Sequence, residues 1–222
     1  MTLPSYTLVR SKRRSVGLLI NAEACLIVRA PLRASVEYIE RVLYEKKAWI
    51  EKTKARVKAA PRLSPKKFVT GEEFYFLGKL YPLMVVDHGD EPLVFEDGFV
   101  LNEKYQKTAR ALFVAWYKNE AKKYIVQRVT YWAGLYHLNY KSIRISSAEK
   151  RWGSCSSKGG LSFNWRLVMA PPSAIDYVVV HELAHLKHLN HSRVYWEWVE
   201  TMCPDYKNEK MWMGNNGRVL AL

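Results

Sequence analysis

The sequence lacks long apolar runs and paired cysteines. No stretch reaches the roughly 18 consecutive apolar residues of a membrane-spanning helix, so we expect no such segment. The 3 cysteines are scattered and form no Cys-x-x-Cys pair, which argues against a disulfide scaffold and for a reducing compartment. A secretory signal peptide is not expected, because Asn21 and Glu23 interrupt the short apolar stretch near the N-terminus. These absences together predict a cytoplasmic location.

Acidic residues are also few. The 222 residues include 35 Lys and Arg against 21 Asp and Glu, a net charge of +14, and the excess is concentrated in residues 1–60 and 111–180. Such a charge suits a nucleotide or nucleic acid partner, although a solvated Lys and Arg surface explains it equally well. Hydrophobic residues make up 49%, which indicates a globular protein with one sizeable core or two small domains.

One short run suggests a chemistry: residues 181–191 read His-Glu-Leu-Ala-His-Leu-Lys-His-Leu-Asn-His. On a helix, His181 and His185 share one face and can bind the same zinc ion. Glu182 is turned away from that ion but can reach a water molecule bound to it. The pattern therefore predicts a zinc hydrolase that uses a zinc-bound water, with Glu182 as the general base. The alternative is a His-rich helix end whose imidazoles are merely solvated.

The third ligand depends on where this helix ends. A catalytic zinc takes three protein ligands and keeps one position open. On a continuous helix His188 shares the face of the first two ligands but lies far along the axis, whereas His191 points elsewhere. Asn190 tolerates the left-handed conformation of a helix end, and Ser192 can cap a following helix. We therefore predict that the chain turns at Asn190 and that His191 is the third ligand.

Three other side chains are alternative ligands. Glu197 and Glu200 follow the run, although exposed helix positions are their more common environment. Cys155 could complete a structural zinc site with four protein ligands, in a protein that binds nucleic acid and catalyses nothing. Glu182 argues against that interpretation, because a structural site needs no base.

The N-terminal part, residues 1–101, is predicted to be β-rich with one long helix. That helix is expected from Ser35 to about Val57. Short apolar segments and turn residues predict strands over residues 5–10, 16–20, 24–30 and 67–101. The catalytic part is predicted to be residues 102–222.

Substrate contacts are predicted on a hairpin upstream of the metal helix, formed by residues 141–146 and 161–169. The edge of this hairpin could bind an extended peptide by strand addition. In the segment between its strands, Gly153 would let a substrate backbone approach closely. Arg151, Trp152 and Gly153 are therefore candidate substrate-binding residues, although a core position is the more common environment for a tryptophan such as Trp152.

Several motifs together resemble the YgjP-like metallopeptidase family of metal-dependent hydrolases. They are Arg151-Trp-Gly-Ser-Cys-Ser156, Asn164-Trp-Arg-Leu167, Ala170-Pro-Pro172, Tyr177-Val-Val-Val-His-Glu-Leu-Ala-His185 and Asn190-His-Ser192. The resemblance implies an α+β fold in which a zincin-like metallopeptidase domain, related to the WLM and SprT-like proteases, carries a β-rich N-terminal extension. It also implies one zinc ion on His181, His185 and His191, with Glu182 as base and a peptide or protein as substrate.

A different substrate would suit the same metal site. A basic zinc protein could hydrolyse a phosphoanhydride bond of a nucleotide, with phosphates held by Arg144, Lys150, Arg151 and Lys158. Tight phosphoryl-transfer sites often use two metals, however, and the sequence offers ligands for one. Peptide hydrolysis is therefore the first prediction and nucleotide hydrolysis the second.

Overall fold

A computed structural model describes residues 4–21, 23–59 and 65–222, and it has the predicted α+β architecture. The chain divides into two compact units, Met1–Ser64 and Pro65–Leu222. This boundary differs from the one placed after residue 101. The reason is that Phe74 and Phe99, from the segment predicted to be N-terminal, pack against Phe113 in the core of the second unit.

The first unit is a three-stranded sheet with two helices. Its elements are β1 (Tyr6–Ser11), β2 (Gly17–Ile20), β3 (Leu26–Pro31), α1 (Val36–Glu45) and α2 (Lys47–Ala59). Strand β3 is central and pairs parallel to β1 and antiparallel to β2. Alternate residues of β3 are buried in a core shared with both helices, as expected for a strand with one covered face. The three short strands confirm the prediction from the sequence.

The long helix predicted from Ser35 to Val57 is two helices. Ser35 does cap the first one, accepting a hydrogen bond from the Tyr38 amide at 3.2 Å. The helical path is interrupted at Lys46, whose φ and ψ are −100° and 9°. Tyr44 to Lys46 are all exposed. No core contact therefore holds the backbone straight at this point.

The second unit begins with a four-stranded sheet and a long helix. The strands are β4 (Glu73–Phe76), β5 (Lys79–Val86), β6 (Leu93–Phe95) and β7 (Phe99–Asn102), in the order β4-β5-β7-β6. A 3-10 segment (Glu103–Thr108) leads into α3 (Ala109–Leu135). The buried residues of α3 recur at every fourth position: Ala109, Phe113, Tyr117, Ala121, Ile125, Val129 and Ala133. This stripe makes α3 the central support of the unit.

A second sheet lies next to α3 and consists of β8 (Ser142–Ser146), β9 (Gly153–Cys155) and β10 (Gly160–Asn164). The predicted hairpin of residues 141–146 and 161–169 is wrong, because β8 and β10 are parallel. The hairpin is instead β9–β10, closed by a turn in which Gly159 has a φ of +77°. Strand β10 ends at Asn164, whose side chain caps a 3-10 segment (Trp165–Met169) by accepting from the Arg166 amide.

Three helices complete the second unit: α4 (Pro172–Ala184), α5 (Arg193–Met202) and α6 (Tyr206–Asn216). Pro172 occupies the first turn of α4, where the missing amide costs no hydrogen bond. Strand β9 is an edge of its sheet and packs beside α4. None of the described helices combines the length and apolar character needed to cross a membrane.

Candidate active site

Helix α4 carries the first predicted ligand and the predicted base. Val178, Val179 and Val180 are buried, and so is Glu182 on the following turn. Burial on nearly every side follows from the apolar sequence, which leaves no polar face for solvent. A helix enclosed in this way holds its polar side chains in fixed positions.

The turn after α4 begins earlier than the sequence predicts. The helix ends at Ala184, His185 is its C-cap, and the amide of His188 still donates to the Ala184 carbonyl at 3.0 Å. Asn190 is not among the residues with positive φ, so its predicted role as a left-handed helix end is wrong. The carbonyl of His188 instead bonds the His185 ring, which favours a turn over further helix. Ser192 caps α5 as predicted, accepting from the Tyr195 amide at 3.4 Å.

The turn brings three imidazoles together. His181, His185 and His191 each offer a ring nitrogen, and these atoms lie within 4.8 Å of one another. The Nε2 atoms of His181 and His191 are 3.2 Å apart. Two nitrogens bound to one tetrahedral zinc at about 2.0–2.1 Å lie roughly 3.3 Å apart, so this pair of nitrogens has the spacing that such an ion requires. This spacing supports the predicted ligand set, and a donor set of three imidazoles suits zinc.

Neighbouring groups orient the His185 ring and contact the backbone at His181. The Nδ1 of His185 lies 3.0 Å from the His188 carbonyl, so it carries the proton and leaves Nε2 as the lone-pair donor. The Tyr195 ring stacks on His185 with a centroid distance of 4.7 Å, and its hydroxyl donates to the His181 carbonyl. His188 thus acts through its backbone, since its side chain is not in the cluster. Nothing in the sequence distinguishes Tyr195 from an ordinary core residue.

The surroundings of His181 and His191 lower the pKa of both imidazoles. Burial, together with the charges of His185, His191 and Lys210, lowers the pKa of His181 to about 3. The pKa of His191 is also lowered, first by burial and then by the positive charges of His185 and Lys210. Neutral imidazoles expose the lone pairs that a metal needs. The cluster therefore favours a bound cation over bound protons near neutral pH.

Glu182 is buried next to this cluster. The residue is 5% exposed, and burial outweighs the opposing effects of Arg151 and a hydrogen bond from the Cys155 backbone, so the pKa of Glu182 is raised to about 7. A divalent cation on the three imidazoles would lower the pKa again. A carboxyl group whose proton affinity lies near neutrality is suited to taking and returning a proton.

Gly153 lies at the edge of the sheet, and it also contacts the side chain of Glu182. A β-carbon on Gly153 would come within 2.5 Å of Oε1 and 2.6 Å of Cγ of Glu182. The absent side chain therefore leaves room for the carboxylate itself. The sequence-based prediction that a substrate backbone occupies this room is therefore incomplete, because the carboxylate of Glu182 fills it.

We predict that Gly153→Ala displaces Glu182 and reduces turnover strongly, while the metal stays bound. Overpacking of a buried site typically costs about 1–3 kcal/mol, so the thermal midpoint should fall by a few degrees. Gly134→Ala is the control, because a β-carbon there meets nothing within 4 Å. Steady-state kinetics and thermal melts of both variants test this, and normal turnover in Gly153→Ala would show that the contact is unimportant.

An open cleft of about 320 Å³ gives access to the cluster. Its lining includes His181 and Glu182 as well as the three candidate substrate-binding residues Arg151, Trp152 and Gly153. Trp152 is half-buried and also packs against the core. It therefore lies both in the cleft, as a candidate substrate-binding residue, and against the core, as is common for a tryptophan. Lys210, which the sequence did not indicate, lines the same cleft and lies over the Trp196 ring at 4.0 Å.

The other candidate ligands lie elsewhere. Glu197 pairs with Arg193 at 2.7 Å, and Glu200 pairs with Lys207 at 2.9 Å, both on the surface. Cys155 is near Glu182 but does not belong to the ligand cluster, and burial raises the pKa of its thiol. The structure therefore brings three imidazoles, and no fourth ligand among the described residues, to one point.

A second depression, called here the basic pocket, adjoins the cleft. It has a volume of about 430 Å³ and is lined by four cationic side chains, those of Lys150, Arg151, Arg166 and Arg218. The cleft and the pocket share a common wall of four residues, Arg151, Trp152, Met213 and Gly214. Of the cations predicted to hold phosphates, Arg144 and Lys158 line neither depression.

The chain is a metal-dependent hydrolase by class, since the family model described as YgjP-like, metallopeptidase domain, matches residues 14–216. It belongs to the YgjP-like family, which confirms the resemblance noted in the sequence. It is also similar to the crystal structure of the metallopeptidase zymogen of Pyrococcus abyssi abylysin. That similarity has 19% sequence identity, covers 39% of this chain and 91% of the other, and has a TM-score of 0.34. No curated protein matches the chain.

Proposed function

We propose that the protein is a zinc-dependent metallopeptidase with one zinc ion held by His181, His185 and His191. The observation that carries this proposal is the convergence of three imidazoles beside a buried carboxylate at the base of an open cleft. Family membership supports a metal-dependent hydrolase, and the donor set and its spacing support zinc.

When bound, zinc makes water acidic enough to ionise near neutral pH and polarises the carbonyl group under attack. Glu182 takes the proton from the attacking water and returns it to the departing amine. Its burial and its contact with Gly153 hold the carboxylate in one orientation for both transfers. Arg151 and Lys210 line the cleft as cations that can stabilise the negative charge developing on the carbonyl oxygen.

The edge of β9 supports a peptide as the substrate. Trp152 and Ser156 both bond β10, at 2.8 and 2.9 Å. Hydrogen-bonded and non-bonded pairs alternate along an antiparallel ladder, so the backbone groups of Gly153 and Cys155 point away from β10. The Cys155 amide is engaged by Glu182, which leaves the Gly153 amide and the two carbonyl groups for a substrate. An extended chain can pair with this edge while its scissile bond lies near Glu182.

A nucleotide substrate is the second candidate function, and the basic pocket is the observation that favours it. Lysine and arginine side chains beside a metal cluster are suitable ligands for phosphate. The cluster of three imidazoles argues against nucleotide hydrolysis, because it can hold one metal ion and phosphoryl-transfer sites often use two.

A paired screen tests the substrate class. The zinc-loaded wild type and its Glu182→Gln variant would be incubated with an unstructured peptide library and, separately, with nucleoside triphosphates. We expect slow peptide cleavage that the variant loses. Hydrolysis of nucleotides alone, lost in the variant, would replace the first proposal with the second. Binding of nucleic acid without turnover of either class would favour a structural zinc.

A further inference from the structure

The basic pocket holds more positive charge than its surroundings neutralise. Glu149 is the one carboxylate in its lining, against the cations Lys150, Arg151, Arg166 and Arg218. In the part of the chain that the structure describes, none of these four cations forms an ion pair. Like charges held together without partners repel one another, and an anion in the pocket would relieve that repulsion.

Arg166 is the least exposed of the four cations. It is half-buried and lies over the ring of Trp165 at 4.3 Å, which fixes the plane of its guanidinium. Burial lowers the pKa of this group, Arg110 lowers it further, and Glu149 partly opposes them. A partly desolvated, oriented guanidinium matches the two oxygens of a carboxylate.

One buried side chain positions both sides of the pocket. The amide nitrogen of Asn164 donates to the Ala148 carbonyl at 2.7 Å and more weakly to the Arg151 carbonyl. Its oxygen accepts from the Arg166 amide at 3.0 Å. The loop that carries Lys150 and Arg151 is therefore tied to the segment that carries Arg166, so the pocket is formed before any ligand binds.

We propose that the basic pocket binds carboxylates of the peptide substrate, so that the enzyme prefers acidic peptides. The proposal rests on the proposed peptidase function and extends it to a substrate class. Carboxylates can come from Asp and Glu side chains or from a free C-terminus, and the experiment separates the two sources.

The position of the pocket favours a peptide over a phosphoanhydride. The pocket lining contains neither the three histidines nor Glu182, whereas the cleft lining contains His181 and Glu182. An anion in the pocket therefore lies beside the metal cluster and not on it. An extended peptide rises about 3.3 Å per residue, so it can place a carboxylate in the pocket while another bond lies in the cleft. A nucleotide carries its charges at the phosphoanhydride bond that is broken, so these charges would lie at the metal cluster and not in the pocket.

Direct binding tests the pocket without requiring turnover. Fluorescently labelled hexaglutamate would be titrated into the zinc-loaded wild type, the Arg166→Met/Arg218→Met variant and the Arg144→Met control. The first variant should bind at least about tenfold more weakly, because charge-assisted hydrogen bonds are lost. Arg144→Met removes an exposed charge outside the pocket and should change affinity by less than about twofold. Arg166→Lys keeps the charge, and thermal melts would verify that all variants fold.

Substrate selection completes the test. Wild-type cleavage of a random peptide library should enrich Asp and Glu at a fixed distance from the cleaved bond, and the pocket variant should lose that enrichment. If hexaglutamate with an amidated C-terminus binds as tightly as the free acid, the side chains are the source of the bound carboxylate. If the amidated peptide binds more weakly, the source is the free C-terminus.

Three outcomes would overturn the proposal: equal hexaglutamate binding by wild type and pocket variant, cleavage with no acidic preference, or tighter binding of tripolyphosphate than of hexaglutamate. Failure of the wild type to cleave any peptide would contradict the proposed function instead. The binding measurement would still decide whether the pocket takes carboxylates.

Discussion

Replacing Glu182 with glutamine should reduce kcat by at least about 100-fold, which is the usual contribution of general-base catalysis. The metal content should stay at the wild-type level. Glutamine keeps the shape of the buried side chain, and it can still occupy the space beside Gly153. It cannot accept a proton at neutral pH, so the water attack loses its base. Steady-state kinetics on any peptide found in the screen, together with elemental analysis, would measure both effects.

Glu197→Gln is the matched control for this substitution. Glu197 is an exposed carboxylate on α5 that pairs with Arg193 and does not belong to the histidine cluster. Its replacement should leave kcat and metal content unchanged, since an exposed ion pair contributes little to stability. Near-normal kcat in a metal-loaded Glu182→Gln variant would contradict the proposed mechanism.

His191→Ala should lower metal affinity by more than about 100-fold, because it removes a ligand and not merely a group that orients one. His188→Ala should bind metal nearly as well as wild type. The structure explains the contrast: His188 contacts His185 through its backbone carbonyl, which alanine retains. Elemental analysis and competition with a chelator would compare the two variants.

The pair of variants also separates the two candidate third ligands. Both substitutions remove one imidazole from the same short turn, so a general loss of order would affect them similarly. Retention of stoichiometric zinc by His191→Ala would refute the proposed ligand set, as would its loss from His188→Ala.

Much of the site follows from short-range spacing along the chain. The four-residue interval between His181 and His185 is one helical turn, so their shared face needed no knowledge of the rest of the fold. Ser192 was recognisable as a helix cap for the same reason, because capping depends on neighbouring residues. The prediction that the chain turns back before His191 is confirmed in outline, but the turn starts at His185 and not at Asn190. At that point the His185 ring bonds the carbonyl of His188, three residues away.

The sequence by itself determined the family, the α+β class, the three short strands of the first unit and the residues proposed for metal binding and proton transfer. Tertiary structure alone decided that β8 and β10 are parallel and that Gly153 makes room for Glu182. It also decided that Tyr195 supports the histidines and that Arg166 and Arg218 join Arg151 around one pocket. The physical reason is distance along the chain. Helical periodicity and caps act over a few residues, whereas strand pairing and pocket formation join distant segments through packing, which local propensity does not determine.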